Sequence, residues 1–562
     1  MVETQQVDQW EAPKIPATQS SATLPSIPPS PPDTQVLDSP FTPQLTQVLR
    51  NVFKLQAFRK NQLEAVVAGM EGKDVFILMP TGGGKSLCYQ LPAVCISQLK
   101  GQITFVVTPL IALMEDQVNQ LRNRFGVNAM AWGADSNLTE NLLATGQVPI
   151  VYVTPEKLSS SGFTRSAIQS LYQKGMIARF VIDEAHCISS WGQDFREAYA
   201  NLGELRKSYP DVPIMALTAT ANPTCINDII HQLKLQDPVR LVQSFNRSNL
   251  RYTIREKKGS PSKQITEDLK TRYHNQCGVI YCRTKKACED LSAELQSCGI
   301  RAAYYHAGMP ADERQRAAAD WQAGRVLVVV ATIAFGMGID KADVRFVFHR
   351  DMPKNVSGYY QETGRAGRDG LDADCILYYN FSDFRSVRKM IQEAENATEE
   401  SKSRQVNDLK EMYNYCSNTS KCRRVQVLGH FNEKFDEKEC KKTCDVCQDT
   451  RQLVETDASE PARVVFRFLK AAKRARISIA QGQLASAVRG MGGQQIKNKC
   501  GALDGFGEAK GQDGDLIDLL IKDLLARDVL DMLDKQTNPS GFHTAYVEVS
   551  QPPLPPSPSS RF

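Results

Sequence analysis

The sequence predicts an α/β chain: two tandem lobes, each a parallel sheet with helices on both faces, followed by a helical module around clustered cysteines and a small basic terminal domain. Three observations predict this. Short apolar runs of strand length alternate with helix-like stretches from residue 74 onward, and the same alternation restarts near Arg251. From Ser401 it gives way to charged helix-like sequence with cysteines close together. The length of 562 residues, set against roughly 150 residues per domain, allows three or four bodies with cores of their own.

In chain order, residues 1–43 are rich in Pro, Ser, Thr and Gln and lack apolar periodicity, which predicts a disordered tail. Lobe 1 is read as 44–245, with strands at 74–79, 103–108, 148–153, 179–182 and 214–217. Lobe 2 is read as 246–400, with strands at 278–281, 301–305, 326–330, 344–348 and 374–378. The cysteine module follows at 401–456. The basic domain at 457–550 has a helix at 515–526 and a closing strand at 544–549. Residues 551–562 return to proline-rich sequence and are read as a second tail.

Composition excludes several classes. No apolar run approaches the roughly 18 residues of a membrane span, and no basic flank leads into an apolar core at the N-terminus, so the reading is a soluble protein without a secretory signal. Most of the fifteen cysteines, including Cys88, Cys95, Cys187, Cys277, Cys282 and Cys375, stand singly in apolar segments and read as reduced core residues. A net charge of +5 is too mild to identify a nucleic-acid binder. The motifs must carry that claim.

The first strand runs into Pro80-Thr81-Gly82-Gly83-Gly84-Lys85-Ser86. A glycine-rich turn between strand and helix lets backbone N–H groups and the helix N-terminus approach phosphates. Lys85 reaches the β and γ phosphates, and Ser86 can ligate magnesium. The strand ending at Ile182 delivers Asp183 and Glu184, one to hold magnesium and the other to polarise water. In the second lobe, Glu362-Thr363-Gly364-Arg365-Ala366-Gly367-Arg368 sets two arginines three apart among small residues, suited to neutralising a γ-phosphate. The glycine loop and the acidic pair alone indicate a nucleotidase, a pairing that many unrelated motors share; a flexible glycine turn, a solvated carboxylate pair and surface ion pairs for the arginines are the plainer alternatives.

Taken together and in order, the motifs resemble those of the RecQ helicases from about Asn51 to Val549, and the segment 76–93 and the cysteine module are most similar to the Bloom-type eukaryotic branch. The resemblance implies two RecA-like lobes, a zinc module and a winged-helix domain. It implies ATP, Mg2+ and Zn2+ as cofactors, single-stranded DNA and duplex junctions as partners, 3′-to-5′ unwinding in repair, recombination or replication, and residence in the nucleus. The tails are read as recruiting repair or topoisomerase partners. The helicase-and-RNase-D-like C-terminal domain of many relatives is read as absent.

Residue by residue, the resemblance assigns adenine recognition to Arg59 and Gln62, and a motor role to Gln361 beside the arginines. Thr218 and Thr220 would relay nucleotide state, and Arg283 and Thr332 would grip the DNA backbone. The stretch 185–196 resembles the family's aromatic-rich loop, in which Trp191 and Phe195 would stack on bases and Arg196 would meet phosphate. Position 193 departs from the pattern: Gln193 stands where the family has histidine, keeping hydrogen bonding but losing titration.

Cys422, Cys440, Cys444 and Cys447 have the spacing of a closed tetrahedral zinc site. Arg423, Arg424, Lys438, Lys441 and Lys442 around them read either as phosphate contacts or as solvating charge. In the terminal domain, Lys470, Lys473, Arg474 and Arg476 supply the basic face, and the turn Asn538-Pro539-Ser540-Gly541 precedes Phe542. Phe542 fits a wedge against a terminal base pair and an ordinary hairpin aromatic equally. Two competing readings remain: an RNA helicase, and a DNA-binding or annealing scaffold with a motor weakened at Gln193.

Overall fold

The computed structural model describes residues 39–132, 147–189, 196–336, 341–395, 397–451, 454–536 and 543–550. Trp191, Gln193, Phe195 and Phe542 lie outside them, as do the proline-rich tails apart from residues 39–43. The first helix, Thr42–Asn51, begins inside the stretch read as tail, with Pro43 in its first turn. Two compact units emerge: Met1–Asn246 with Leu428–Phe435, and Arg247–Val427 with Asp436–Phe562. Among the described residues no helix is long and apolar enough to cross a membrane.

Unit 1 is a seven-stranded sheet. Its strands are β1 (Val75–Leu78), β2 (Ile103–Val107), β3 (Ala129–Ala131), β4 (Ile150–Val153), β5 (Ile177–Ile182), β6 (Ile214–Thr218) and β7 (Val239–Val242). They lie in the order β3-β4-β2-β5-β6-β1-β7, and every pairing is parallel. Strands such as Val-Phe-Ile-Leu in β1 are apolar at every position because helices cover both faces of a parallel sheet. The helix Lys85–Lys100 packs with Leu87, Leu91 and Val94 against this core. Segment 428–435 joins the unit through Phe431, stacked on Phe245 with ring centroids 4.2 Å apart, and through Glu433, which accepts from Phe245 N at 2.7 Å.

Unit 2 contains a six-stranded parallel sheet of β8 (Leu250–Glu256), β9 (Gly278–Tyr281), β10 (Ala302–Tyr305), β11 (Val328–Ala331), β12 (Phe346–His349) and β13 (Ala373–Tyr379). The order is β10-β11-β9-β12-β13-β8. Helices Glu399–Ser417 and Arg423–His430 lead to the cysteine cluster. Beyond it, helices Ser459–Arg474, Gln481–Val488, Gln494–Cys500 and Gly514–Ala526 accompany a third sheet. That sheet is antiparallel, β14 (Ile479–Ala480) and β15 (Leu530–Gln536) flanking β16 (His543–Val549).

The two α/β lobes expected from the alternation are therefore present. Among the described strands, β3, β7, β14 and β15 had no counterpart in the sequence reading, and β8 was marked only by the restart near Arg251. The first two are sheet-edge strands, and Ala-Met-Ala and Val-Arg-Leu-Val lack the buried apolar run that marks a central strand.

Candidate nucleotide site, arginine loop and metal centre

Parallel strands end on a common side, and the crevice beyond their C-terminal ends is where α/β sheets bind ligands. In unit 1, β1 delivers the glycine loop there and β5 delivers Asp183 and Glu184, with β6 between them. Gly82 and Gly84 take left-handed backbone at φ +82° and +85°, which a side chain would strain. Lys85, at the start of its helix, curls over the loop and donates from Nζ to Met79 O at 3.0 Å. Thr81 and Ser86 are half-buried beside it.

Arg59 and Gln62 hold this loop from outside. Gln62 is buried; its Oε1 accepts from Arg59 N at 2.7 Å and its Nε2 donates to Gly84 O at 3.1 Å. Arg59 Nη1 donates to Gly82 O at 2.6 Å. The residues expected to read adenine thus touch the phosphate-loop backbone. Asn61, between them, sits in left-handed backbone at φ +60° and donates to Val242 O at 3.3 Å, a contact no motif signalled.

Asp183 Oδ1 accepts from Glu184 N at 3.0 Å. Burial first, then the neighbouring Glu184 charge, push the Asp183 carboxyl up to about 7, while Lys85 opposes the shift. Two adjacent half-buried acids, one of them feeling the Lys85 charge, form a donor set suited to a hard divalent cation. Glu184 itself occupies left-handed backbone at φ 49°. Its Oε2 stands 3.3 Å from His186 Nδ1 without hydrogen-bond geometry, because that nitrogen is engaged with Thr218 Oγ1 at 2.8 Å. Thr220 N donates to the same Thr218 hydroxyl at 3.2 Å. Arg196 Nη1 donates to Pro109 O at 2.7 Å.

Unit 2 carries the arginine loop. Asn355 caps the helix Val356–Thr363, which bears the half-buried Gln361, by accepting from Gly358 N at 2.7 Å. Arg365 is buried and donates from Nη1 to the carbonyl of Gly336; Arg368 is half-buried. Arg247 cradles the loop from below, donating to Gly364, Ala366 and Gly367 carbonyls at 3.3, 2.9 and 2.9 Å. It precedes the first strand of its sheet in a segment without motif character, so no local signal marks it. Thr332 N donates to Tyr305 O at 3.2 Å in the turn after β11. Arg283 is one-quarter exposed and donates to Asp383 at 3.5 Å, within a network where Lys257 bridges Asp351 and Asp383.

The four cysteine Sγ atoms of residues 422, 440, 444 and 447 all lie within 4.8 Å of one another, and Cys422 and Cys444 are 3.9 Å apart. Zinc bonded to sulfur at about 2.3 Å sets tetrahedral S···S edges near 3.8 Å, so the cluster fits that ion. The Cys422 thiol donates to Cys444 Sγ, and the backbone N–H of Cys447 points at the same sulfur at 3.4 Å; against the opposing effect of burial they hold Cys444 well below the ordinary thiol range. Arg423 and Arg424 correct an expectation. Both are buried. Arg423 pairs with Asp445 at 2.9 Å; Arg424 donates to Thr443 Oγ1 at 3.0 Å, to Arg247 O at 2.8 Å and to Leu250 O. Arg424 clamps the cysteine module to the start of β8 and Arg423 ties Asp445 within the module, so both are withheld from phosphate and solvent, whereas Lys438, Lys441 and Lys442 remain exposed.

Family models of known proteins match in chain order: DEAD/DEAH box helicase over residues 59–229, helicase conserved C-terminal domain over 261–370, and RecQ zinc-binding over 381–448. The chain is 44% identical over 518 residues to the ATP-dependent helicase SGS1 of Saccharomyces cerevisiae, covering 91% of this chain and 36% of that protein. It is 41% identical to the ATP-dependent DNA helicase hus2/rqh1 of Schizosaccharomyces pombe, covering 92% of this chain and 39% of that one. It is 40% identical to the ATP-dependent DNA helicase Q1 of Mus musculus, covering 82% of this chain and 70% of the relative. The chain thus spans less than two fifths of the length of the two yeast relatives. Among solved structures, the DUF1998 helicase MrfA bound to DNA superposes with a TM-score of 0.51 at 20% identity, covering 66% of this chain and 56% of that one, which is a likeness of fold.

Proposed function

The chain belongs to the RecQ family of helicases, and from that premise we propose that it hydrolyses ATP to unwind duplex DNA in the 3′-to-5′ direction. The observation that carries this reading is the convergence, at the ends of β1 and β5, of the glycine loop with Lys85 and the half-buried pair Asp183 and Glu184.

In this reading the loop amides and Lys85 bind the β and γ phosphates, and Arg59 and Gln62 read the base while holding the loop. Ser86 and Asp183 hold magnesium, which neutralises charge on the transferring phosphate. Glu184 orients the attacking water and accepts its proton. Arg365 and Arg368, with Gln361 beside them, act on the γ-phosphate. His186 and Thr218, hydrogen-bonded to each other and next to Glu184, connect the acidic pair to the aromatic-loop segment that follows. Arg196, Arg283 and Thr332 meet the DNA backbone, Trp191 and Phe195 stack on bases, and zinc in the four-cysteine cluster is structural. The domain after it is a winged helix, with Phe542 at its wing, acting on repair or recombination intermediates in the nucleus.

ATP hydrolysis with and without single-stranded DNA, together with unwinding of a 3′-tailed duplex, tests the whole. Lys85→Ala is expected to abolish both activities while retaining most DNA binding, and unwinding that survives this change refutes the mechanism. Parallel stimulation by RNA decides the nucleic-acid class, and Gln193→His reports whether glutamine suffices for coupling.

A further inference from the structure

The loop that carries Arg365 is built of small residues, and its shape is imposed from outside. Gly364, Ala366 and Gly367 flank Arg365 and are buried, yet none has a side chain long enough to fix the turn by packing. Buried carbonyls need donors. One side chain serves all three: Arg247 Nη1 donates to Gly364 O, and its Nη2 donates to both Ala366 O and Gly367 O. Asn249, two residues on, accepts from Arg247 Nε at 3.4 Å and donates to Gly367 O at 2.9 Å and to Leu371 O at 2.8 Å. Gly367 takes left-handed backbone at φ +57°, and a Cβ there would run into the same Asn249 amide, so the loop is seated directly against this clamp.

Arg247 is itself held. Its carbonyl accepts from Arg424 Nη1 at 2.8 Å, and Arg424 Nη2 donates to Ser248 O at 3.2 Å and to Leu250 O. Arg424 Nε donates to Thr443 Oγ1 at 3.0 Å, and Thr443, directly before Cys444, accepts at its carbonyl from Tyr252 N at 3.1 Å. Two guanidinium forks in series thus join the cysteine module to the backbone on either side of Arg365. Arginine suits both places, because it is always charged and its planar fork reaches several carbonyls at once, which an ammonium on a flexible stem does not.

We propose that Arg247 is a positioning residue for Arg365 in ATP hydrolysis, and that Arg424 fixes Arg247 to the cysteine module. This rests on the reading of Arg365 as a residue that acts on the γ-phosphate. A group that stabilises charge in the transition state loses much of its effect when displaced by about an ångström, and the carbonyls that Arg247 holds stand on both sides of Arg365. Loss of Arg247 therefore lowers kcat and spares nucleotide affinity, whereas a purely structural role lowers stability and leaves the kcat of the folded fraction intact.

The experiment uses the full chain with Arg247→Ala, Arg247→Lys and Arg424→Lys, the two Arg247 changes also being combined with Arg365→Ala. Turnover is read with saturating single-stranded DNA, nucleotide affinity by stopped-flow binding, and stability by the urea midpoint. Arg247→Ala is expected to lower kcat by about 10²-fold with nucleotide affinity within about threefold of wild type, Arg247→Lys to fall between, and Arg424→Lys to lower kcat by about tenfold. In the Arg365→Ala background the Arg247 changes should lower kcat by no more than about twofold further, because residues that act as a unit are not additive. Arg247→Lys keeps the charge and the stem, so the test stands even where Arg247→Ala does not fold. Wild-type kcat in the folded Arg247 variants overturns the proposal, as does a full second loss on top of Arg365→Ala. Wild-type kcat in Arg424→Lys overturns the link to the cysteine module. An Arg365→Ala protein that hydrolyses ATP at the wild-type rate instead removes the reading of Arg365, and the proposal with it.

Discussion

Gln62 and Gly84 are interlocked: the Gln62 amide donates to the Gly84 carbonyl at 3.1 Å, and a Cβ added to Gly84 would run into that same amide. Gly84 also sits at φ +85°, where a side chain costs about 1–2 kcal/mol. Gly84→Ala is therefore expected to lower unfolding free energy by about that amount in urea titrations and to abolish ATP hydrolysis. Gln62→Ala loosens the loop without backbone strain. It should raise the KM for ATP with little change in the unfolding midpoint, and an unchanged KM would contradict its place at the site.

The Asp183 carboxyl, pushed up to about 7 by burial and by Glu184, makes the ligand-free protein pH-sensitive. The native state keeps this proton at pH values where the unfolded chain, with a carboxyl near 4, has lost it. The associated stability is complete below about pH 4 and is lost as pH rises to about 7. Asp183→Asn removes the penalty. The variant's melting temperature should exceed that of wild type by a margin that widens from pH 5 to pH 7.5, while its ATPase activity is lost. A margin independent of pH would assign Asp183 an ordinary carboxyl range.

Arg424 and Lys438 make opposite predictions although both flank the cysteine cluster. Arg424 is 3% exposed and donates to backbone carbonyls and Thr443. Arg424→Ala strips partners from buried acceptors and should cost about 3 kcal/mol in chemical denaturation. Lys438 is exposed, and Lys438→Ala should stay within about 0.5 kcal/mol. A colorimetric zinc assay should find one ion per chain in both variants, and Cys444→Ser should lose it.

The fold was legible wherever a physical constraint repeats. The central strands had to be apolar throughout because helices cover both faces, and 103–108 and 148–153 stand out for that reason. The glycine loop, the acids ending β5 and the four cysteines were legible because phosphate and zinc chemistry fix both residue type and spacing. What escaped was tertiary. Arg247 serves the arginine loop from more than a hundred residues upstream, and nothing local in 244–250 marks it. Arg423 and Arg424 read as phosphate contacts or solvating charge because charge is visible in sequence and burial is not.

Arg365 and Gly336 test the arginine loop most directly. Arg365 donates to the Gly336 carbonyl, and a Cβ at residue 336 would stand 2.8 Å from Arg365 Nη2 and 2.8 Å from Ile333 O. The backbone at Ile333 cannot yield as a flexible side chain can, so the arginine must move. If Arg365 stabilises charge on the transferring phosphate, Arg365→Ala lowers kcat by roughly 10³-fold or more and leaves nucleotide affinity within about threefold. Arg365→Lys should recover little, because the ammonium lacks the planar fork that spreads over two oxygens. Gly336→Ala, which displaces the guanidinium without removing it, should fall between, with kcat down by about tenfold and nucleotide affinity again preserved. Stopped-flow nucleotide binding alongside steady-state hydrolysis separates the two quantities. A Gly336→Ala variant that turns over at the wild-type rate would mean that the Arg365 position in this structure is not the one that matters for hydrolysis.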